Sequence, residues 1–424
     1  MRSDNSLGAW LQTTTGIVVV LLLVQFLTGV LLAFYYVPSV DHAYTTVSYI
    51  EKVVSSGSWI RSLHHYGSQW LTVFVFIHVI RLFLDRAYAA NRIQWIVTIL
   101  LLGLVMAAGG TGYSLPWDAR AFFSTRVAEG LMAGLPIAGG MARLWLLGGS
   151  EISGVTLSRF FALHVLVIPA VMGAVVVWRM FHSRIAEFFG PRDAIVGTVI
   201  FLALSLWALK HPAPLGPSVA EAGTDYLPRP GAQFLWLYQS LKYIPGGLGS
   251  IVGVVLPGIV LAVLVALPWL KRQRLIAGSL LGLGVALVVI MTTASYLSDR
   301  RDPRTAQQFA RQTAAEEAWR SQPFNPATIT LAATTKVTGG TPVMYTKYCA
   351  NCHGTQGQGA QQGPLKFPPL LDVSAKPRRS VDDIVSLLKD PTAYGLQPPM
   401  RSFAEKLTEE QMREIAEWIV KLRK

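Results

Sequence analysis

The chain has 424 residues, 52% of them hydrophobic and only 14% charged, which excludes an ordinary soluble globular protein and favours an integral membrane one. The formal net charge of +13 does not mark a nucleic-acid-binding face. The positive residues gather at the ends of apolar runs and in the C-terminal third, where they read as topology signals.

Met1–Trp10 is a short polar start. The apolar run after it is long enough to span a bilayer, so no cleavable signal peptide is expected. Seven apolar segments follow, near residues 16–37, 67–84, 93–113, 158–181, 193–210, 248–270 and 274–297, and each is read as a membrane-crossing helix. The fifth is among the weakest of these candidates in length. Arg86 and Arg92 lie between the second and third segments, and Lys271, Arg272 and Arg274 between the last two. Short Arg/Lys-rich loops mark the cytoplasmic side, which puts the N-terminus in the cytoplasm. After seven crossings, everything beyond residue 299 lies on the periplasmic side of what reads as a bacterial inner membrane.

Residues 300–340 are polar and read as a linker, with a helix predicted through Ala306–Trp319. From residue 341 the pattern is that of a small helical domain. Its last helix opens on Thr408-Glu-Glu-Gln411, a capping box, and then repeats Ile415, Ile419 and Leu422 on one face.

The only two cysteines of the chain, Cys349 and Cys352, stand in Cys349-Ala-Asn-Cys352-His353. This is the C-x-x-C-H haem c attachment pattern, in which two thiols bond the vinyl groups and the adjacent imidazole ligates iron. The alternatives, a redox dithiol or half a zinc site, suit the periplasmic compartment and the lack of a second cysteine pair less well. A sixth ligand is needed, and Met400, 47 residues after His353, is the candidate. A thioether there raises the potential relative to a second imidazole. Met344 lies too close to the motif, and Met412 reads as core of the last helix.

In the second segment His64 and His78 are 14 residues apart. Fourteen helical residues rise about 21 Å and return within about 40° of the same face. Intramembrane ionisable groups are functional by default, so the pair is read as ligating two stacked b-type haems. His65 falls on another face and reads as an interfacial neighbour.

Arg61-Ser-Leu-His-His-Tyr-Gly67, His78-Val-Ile-Arg81, Gly110-Thr-Gly-Tyr-Ser-Leu-Pro-Trp-Asp118 and Leu157-Ser-Arg-Phe-Phe-Ala-Leu-His164 resemble the cytochrome b of bc and b/f complexes. The resemblance covers residues 10–300 and includes Arg229-Pro-Gly-Ala-Gln-Phe-Leu-Trp236 and Leu241-Lys-Tyr-Ile-Pro-Gly246. Over about 80 residues the C-terminal segment is similar to a small class I cytochrome c, including Gly363-Pro364 in the loop that usually orients the ligating histidine. The resemblance implies that His64 and His164 ligate the periplasm-side haem b, with Gly29 and Gly112 letting backbone approach it and Arg81 among the cofactor-binding residues. It further implies quinol as substrate, a Rieske-type iron–sulfur partner, a c-type or other electron acceptor, and a homodimer in membrane lipid.

The second haem site departs from the family. Where the fourth segment should repeat its histidine stand Trp178 and Arg179. The next histidine, His182, is 18 residues after His164, on the right face but about 27 Å away, one turn beyond His78. Thr15 and Thr98 replace cytoplasm-side glycines at the same depth. A displaced haem on His78 and His182, an ordinary haem, or none are the alternatives. Thr13 stands where some b/f-type proteins have a haem-attaching cysteine, so that extra covalent haem is not expected.

The resemblance also places a Pro-Glu-Trp-Tyr motif at Pro230-Gly231-Ala232-Gln233, so that glycine replaces the glutamate thought to take a proton from quinol. Tyr113 and Asp118 are the candidate quinol-site residues, with Asp225 and Glu221 next. The expected fold is all-α: a cytochrome b four-helix part (1–190), a three-helix part (191–299), a linker (300–340) and a cytochrome c domain (341–424). The expected activity is that of a quinol-oxidising oxidoreductase subunit. The alternative is a haem conduit within a larger respiratory complex.

Overall fold

The structure is a computed structural model. It describes residues 13–149, 151–182, 189–219, 221–222, 226–244, 246–324, 342–349, 353, 357, 360–362, 365–367, 370, 379–395, 400 and 402–422. Two compact units divide the chain, Met1–Asn325 and Pro326–Lys424.

Unit 1 is helical among its described residues. In chain order its helices are α1 (Thr14–Ala33), α2 (Ala43–Lys52), α3 (Gly57–Leu84), α4 (Arg92–Tyr113), α5 (Ala119–Ala133), α6 (Gly139–Leu147), α7 (Gly154–Ala162), α8 (Ile168–His182), α9 (Pro191–Lys210), α10 (Leu235–Lys242), α11 (Leu256–Ala266), α12 (Gln273–Arg301) and α13 (Pro303–Ser321). Seven helical stretches are long and apolar enough to cross a membrane, namely α1, α3, α4, Gly154–Trp178, α9, Ile251–Trp269 and α12. They coincide with the seven predicted segments. Large apolar side chains such as Leu206, Leu209, Phe181 and Leu283 point outward, as lipid-facing surfaces require.

α3 begins ten residues before its predicted apolar run. The added turns carry Arg61, Ser62, His64 and His65, and this polarity is buried inside the protein: Ser62 is fully covered and Arg61 nearly so. A hydropathy window reads such a turn as the end of a span, although its polar groups are satisfied by neighbours. α1, α3 and α4 pack a common core around Leu21, Val75, Trp95 and Ile99. The Trp95 indole N–H donates to the Leu264 carbonyl at 2.7 Å, joining α4 to α11.

Two spans contain a π turn, Leu163–Val167 and Ile251–Val255. In each the closing residue bonds five residues back, Ile168 to Leu163 and Leu256 to Ile251, and a proline follows immediately (Pro169, Pro257). Proline supplies no N–H for the usual bond, and a widened turn just before it absorbs the break. His164 lies within the first of these turns, and π bulges concentrate at functional sites.

The stretch read as a linker opens with α13, which is tied to the rest of unit 1. Gln312 accepts from Leu227 N and donates to Leu227 O, at 3.0 and 3.1 Å. Lys52 donates to the last carbonyls of the helix, those of Trp319 and Gln322, where a cation is favourable.

Unit 2 contains α14 (Val343–Tyr348), the antiparallel strands β1 (Ala360–Gln362) and β2 (Leu365–Phe367), α15 (Val381–Lys389) and α16 (Glu409–Leu422). α16 starts with the predicted capping box: Thr408 N donates to Gln411 Oε1 at 2.9 Å, and Gln411 N to Thr408 Oγ1 at 3.3 Å. Tyr345, Ile384, Leu388, Met412, Ile415 and Ile419 form its core. Two short strands do not alter the all-α class.

Candidate functional site

α3 and the π turn bring His64 and His164 together, with ring centres 5.9 Å apart and planes at 80°. Each ring is fixed through Nδ1. Thr28 spends its hydroxyl proton on the Val24 carbonyl at 2.6 Å, so its oxygen accepts from His64 Nδ1–H at 2.9 Å. His164 Nδ1 lies 3.0 Å from the Ala108 carbonyl, which can only accept. Both imidazoles therefore carry their proton on Nδ1 and keep the Nε2 lone pair for a metal. Metal–imidazole bonds of about 2.0 Å on either side would set ring centres roughly 6 Å apart, as found. A Cβ on Gly29 would lie 3.1 Å from the His64 ring, and one on Gly112 would collide with that of His164. Glycine at both positions lets α1 and α4 approach the imidazoles closely. The donor set and its cradle fit a b-type haem.

The two histidines line a cavity of about 810 Å³, and His65 lines it as well. At one end its walls become polar, with Arg61, Tyr113, Asp118, Arg120, Arg229 and Gln233. Asp118 is buried, and both of its oxygens are engaged. Oδ1 accepts from Ala121 N at 2.8 Å, capping α5, and Oδ2 accepts from Gly216 N at 2.6 Å. Trp117, just before it, has φ 52°, a left-handed conformation rare for a bulky residue and one that clusters at functional sites. Tyr113 donates to the Arg229 carbonyl at 3.2 Å.

Each arginine of the polar end is backed by a carboxylate. Arg61 meets Glu51 at 2.8 Å, Arg120 meets Glu316 at 2.7 Å, and Arg229 meets Asp299 at 3.2 Å. Arg320 bridges Glu51 and Glu316. Burial opposes the ionisation of Glu51, and Arg61, the Ser58 hydroxyl and Arg320 outweigh it, so its carboxyl is held below the usual range. Tyr226, at the same end, is pushed up to about 12 by burial. Apart from Arg320–Glu316, four positions apart on one helix, these pairings were not legible in the sequence, their partners lying up to 269 positions apart.

His78 is buried outside the cavity lining. The Thr14 hydroxyl lies 2.9 Å from its Nδ1, and Arg81 donates to the same hydroxyl at 3.2 Å. Thr14 precedes Thr28 by 14 residues, as His64 precedes His78, so α1 and α3 repeat one threonine–histidine couple at two depths. Thr98 is buried and donates to Gln94 O. α8 ends at His182, whose side chain lies outside the described residues.

In unit 2, Cys349 is buried in the core, and Met344 and Met400 pack against that core. His353 is helical and partly buried. Cys352, Gly363, Pro364 and Asp225 lie outside the described residues. Glu221 holds Ser218 through its N–H and hydroxyl.

The chain matches the family model described as cytochrome b/b6/petB over residues 5–185 and that of cytochrome c over residues 339–423. It is 35% identical over 186 residues to the cytochrome b subunit of menaquinol:cytochrome c reductase from Geobacillus thermodenitrificans, covering 43% of this chain and 83% of that protein. The Bacillus subtilis (strain 168) counterpart is 34% identical with the same coverage. Cytochrome b6 of Prochlorococcus marinus (strain MIT 9211) is 33% identical over 177 residues, 42% of this chain and 81% of that one. Among solved structures, a chain of a hyperthermophilic respiratory complex III aligns with a TM-score of 0.53 at 20% identity, covering 73% of this chain and 89% of that chain. At that identity the likeness concerns the fold.

Proposed function

The chain belongs to the cytochrome b/b6 family and ends in a cytochrome c domain, and on that premise we propose that it oxidises quinol near the periplasmic face of a bacterial inner membrane. The observation that carries this reading is the shared cavity, in which the His64–His164 pair and the polar residues around Asp118 line one space. Haem held by His64 and His164, and haem c held by Cys349, Cys352, His353 and Met400, would each supply a one-electron carrier. Gly29 and Gly112 leave room for the first of these. Asp118 and Tyr113 are assigned to the quinol site, with Asp118 as the exit for protons that quinol must release. A Rieske-type iron–sulfur protein takes the other electron, and the complex works as a homodimer with its N-terminus in the cytoplasm and haem c in the periplasm. Because two relatives are named for menaquinol, a naphthoquinol is the substrate to try first.

The haem-conduit reading draws on the resemblance, which puts Gly231 in the place of the family's carboxylate. The two readings separate in a single experiment on the purified complex. Quinol-dependent reduction of haem c should be observed, and His164→Leu should remove a b-type absorbance band together with that activity. A parent complex with full haem content and no quinol oxidation would establish the conduit reading instead.

A further inference from the structure

At the end of α3 away from Arg61, two short connections carry five cations. Arg86 and Arg92 stand where α3 passes to α4, and Lys271, Arg272 and Arg274 where α11 passes to α12. The short helix Ala87–Ala90 of the first connection touches the turn Leu267–Trp269 of the second. The Trp95 bond to the Leu264 carbonyl holds α4 against α11 close by, so the cations share one patch. All five are exposed. Among the described residues none of them faces a carboxylate at ion-pair distance, and Asp85, the one acid of the two connections, is engaged by Arg81 at 3.1 Å. Loose positive charge is enough to orient a span; the backbone here asks for a further reason. Arg86 and Arg272 both have positive φ, 54° and 56°, a conformation that few residues other than glycine adopt and that asparagine tolerates better than arginine. Topology would be served equally by a cation one residue away, without strain. Strained positions of this kind cluster at ligand clamps, and both halves of the patch keep arginine in the same one.

The surroundings of the patch select its ligand. Leu84, Ile93, Trp269 and Leu275, in or beside the same connections, are large, apolar and exposed, and tryptophan favours the level of lipid headgroups. A soluble anion would use the cations alone and leave this apolar rim in water. A lipid with an anionic headgroup uses both. Planar guanidinium groups match phosphate oxygens bidentately, and the start of α12, where Arg272 makes no side-chain cap, favours the same charge. We propose that this patch binds an anionic phospholipid, its phosphate held by Arg86 and Arg272 and its acyl chains lying along Leu84, Ile93, Trp269 and Leu275. Arg92, Lys271 and Arg274 surround the headgroup. The bound lipid bridges the α3–α4 connection of the four-helix part and the α11–α12 connection of the three-helix part.

The test uses the purified complex in a neutral detergent, with phosphatidylglycerol as the probe and native mass spectrometry counting the bound lipid. Phosphatidylglycerol should bind saturably, and phosphatidylcholine should not displace it. Arg86→Asn together with Arg272→Asn removes two charges but keeps a residue that tolerates positive φ. This pair should raise Kd about thirtyfold, roughly fivefold for each cation at a membrane surface, with haem content as in the parent. Arg86→Lys with Arg272→Lys should bind within a few-fold of the parent. Arg304→Asn with Arg311→Asn takes the same charge from α13 and should bind as the parent does. Arg92→Gln with Lys271→Gln probes the patch away from its strained positions, should raise Kd by a similar factor, and decides the matter if the first pair fails to assemble. Parental affinity in either pair that removes charge from the patch overturns the proposal. So does an equal loss in the α13 pair, which marks attraction by net charge, or in the lysine pair, which marks a backbone effect. Displacement by phosphatidylcholine, or by glycerol phosphate at matched concentration, overturns it as well, the latter by assigning the patch to a soluble phosphate.

Discussion

At the scale of single residues, hydrogen bonds that no sequence window contains decide what each side chain can do. The spacing of His64 and His78 was legible because a helix is periodic. The tautomer that makes His64 a ligand was not, since it depends on whether the Thr28 hydroxyl gives its proton to Val24 or to the ring. Asp118 shows the same limit. Its sequence position suggests a carboxylate near quinol, and its geometry shows two backbone N–H groups already resting on it. Asp118→Asn should leave haem content intact and cut quinol turnover about a hundredfold, as for loss of a general base. Normal turnover in that variant would restrict Asp118 to capping α5 and holding Gly216. In unit 2, Met400→Ala should abolish the thioether charge-transfer band of haem c. It should also lower its potential by a sizeable part of the roughly 0.8 V that axial ligands span. A redox titration that matched the parent would assign the sixth position to another group.

At the scale of elements, the sequence located all seven spans and the capping box of α16, because both signals are local and periodic. It misjudged where α3 begins, because the polar turn around Arg61 is satisfied by Glu51 and by the carbonyls of Ala213 and Pro214, which only the folded chain brings near. It also missed both π turns, although a proline after an apolar run is the signal that could have marked them. The ends of α1, α3 and α4 that carry Thr14, His78 and Thr98 raise a specific expectation. Thr14 orients His78 much as Thr28 orients His64, yet the resemblance aligns Thr15 and Thr98 with family glycines and Trp178 with a family histidine. A β-carbon and a methyl occupy space that backbone-to-haem approach requires. Pyridine haemochrome analysis should therefore give fewer than two ordinary b haems per haem c, with any second b haem displaced and spectrally distinct. A clean ratio of two with equivalent bis-histidine signatures would refute this.

At the scale of the molecule, the residues that line the cavity depend on contacts spanning almost the whole of unit 1. α13, read from sequence as part of a linker, supplies Glu316 to Arg120 and Leu215 N, Gln312 to Leu227, and Arg320 to Glu51 and Ala213. Arg61 and Glu51 are both buried, and removing one partner of such a pair costs about 3–5 kcal/mol because the other charge is stranded. The functional boundary of the cytochrome b part should then fall after α13, near the division at Asn325, and not at residue 299 where the apolar spans end. Two truncations test this. A chain ending at Asn325 should insert in the membrane, retain the b-type spectrum of its His64–His164 site and bind naphthoquinol with parental Kd, while losing the c-type band. A chain ending at Asp302 should lose quinol affinity and thermal stability of the b-type signal, because Arg120, Glu51 and the 213–227 segment lose their ties to α13. Equal behaviour of the two truncations would show that α13 contributes nothing to the cavity and that the sequence-based boundary was sufficient.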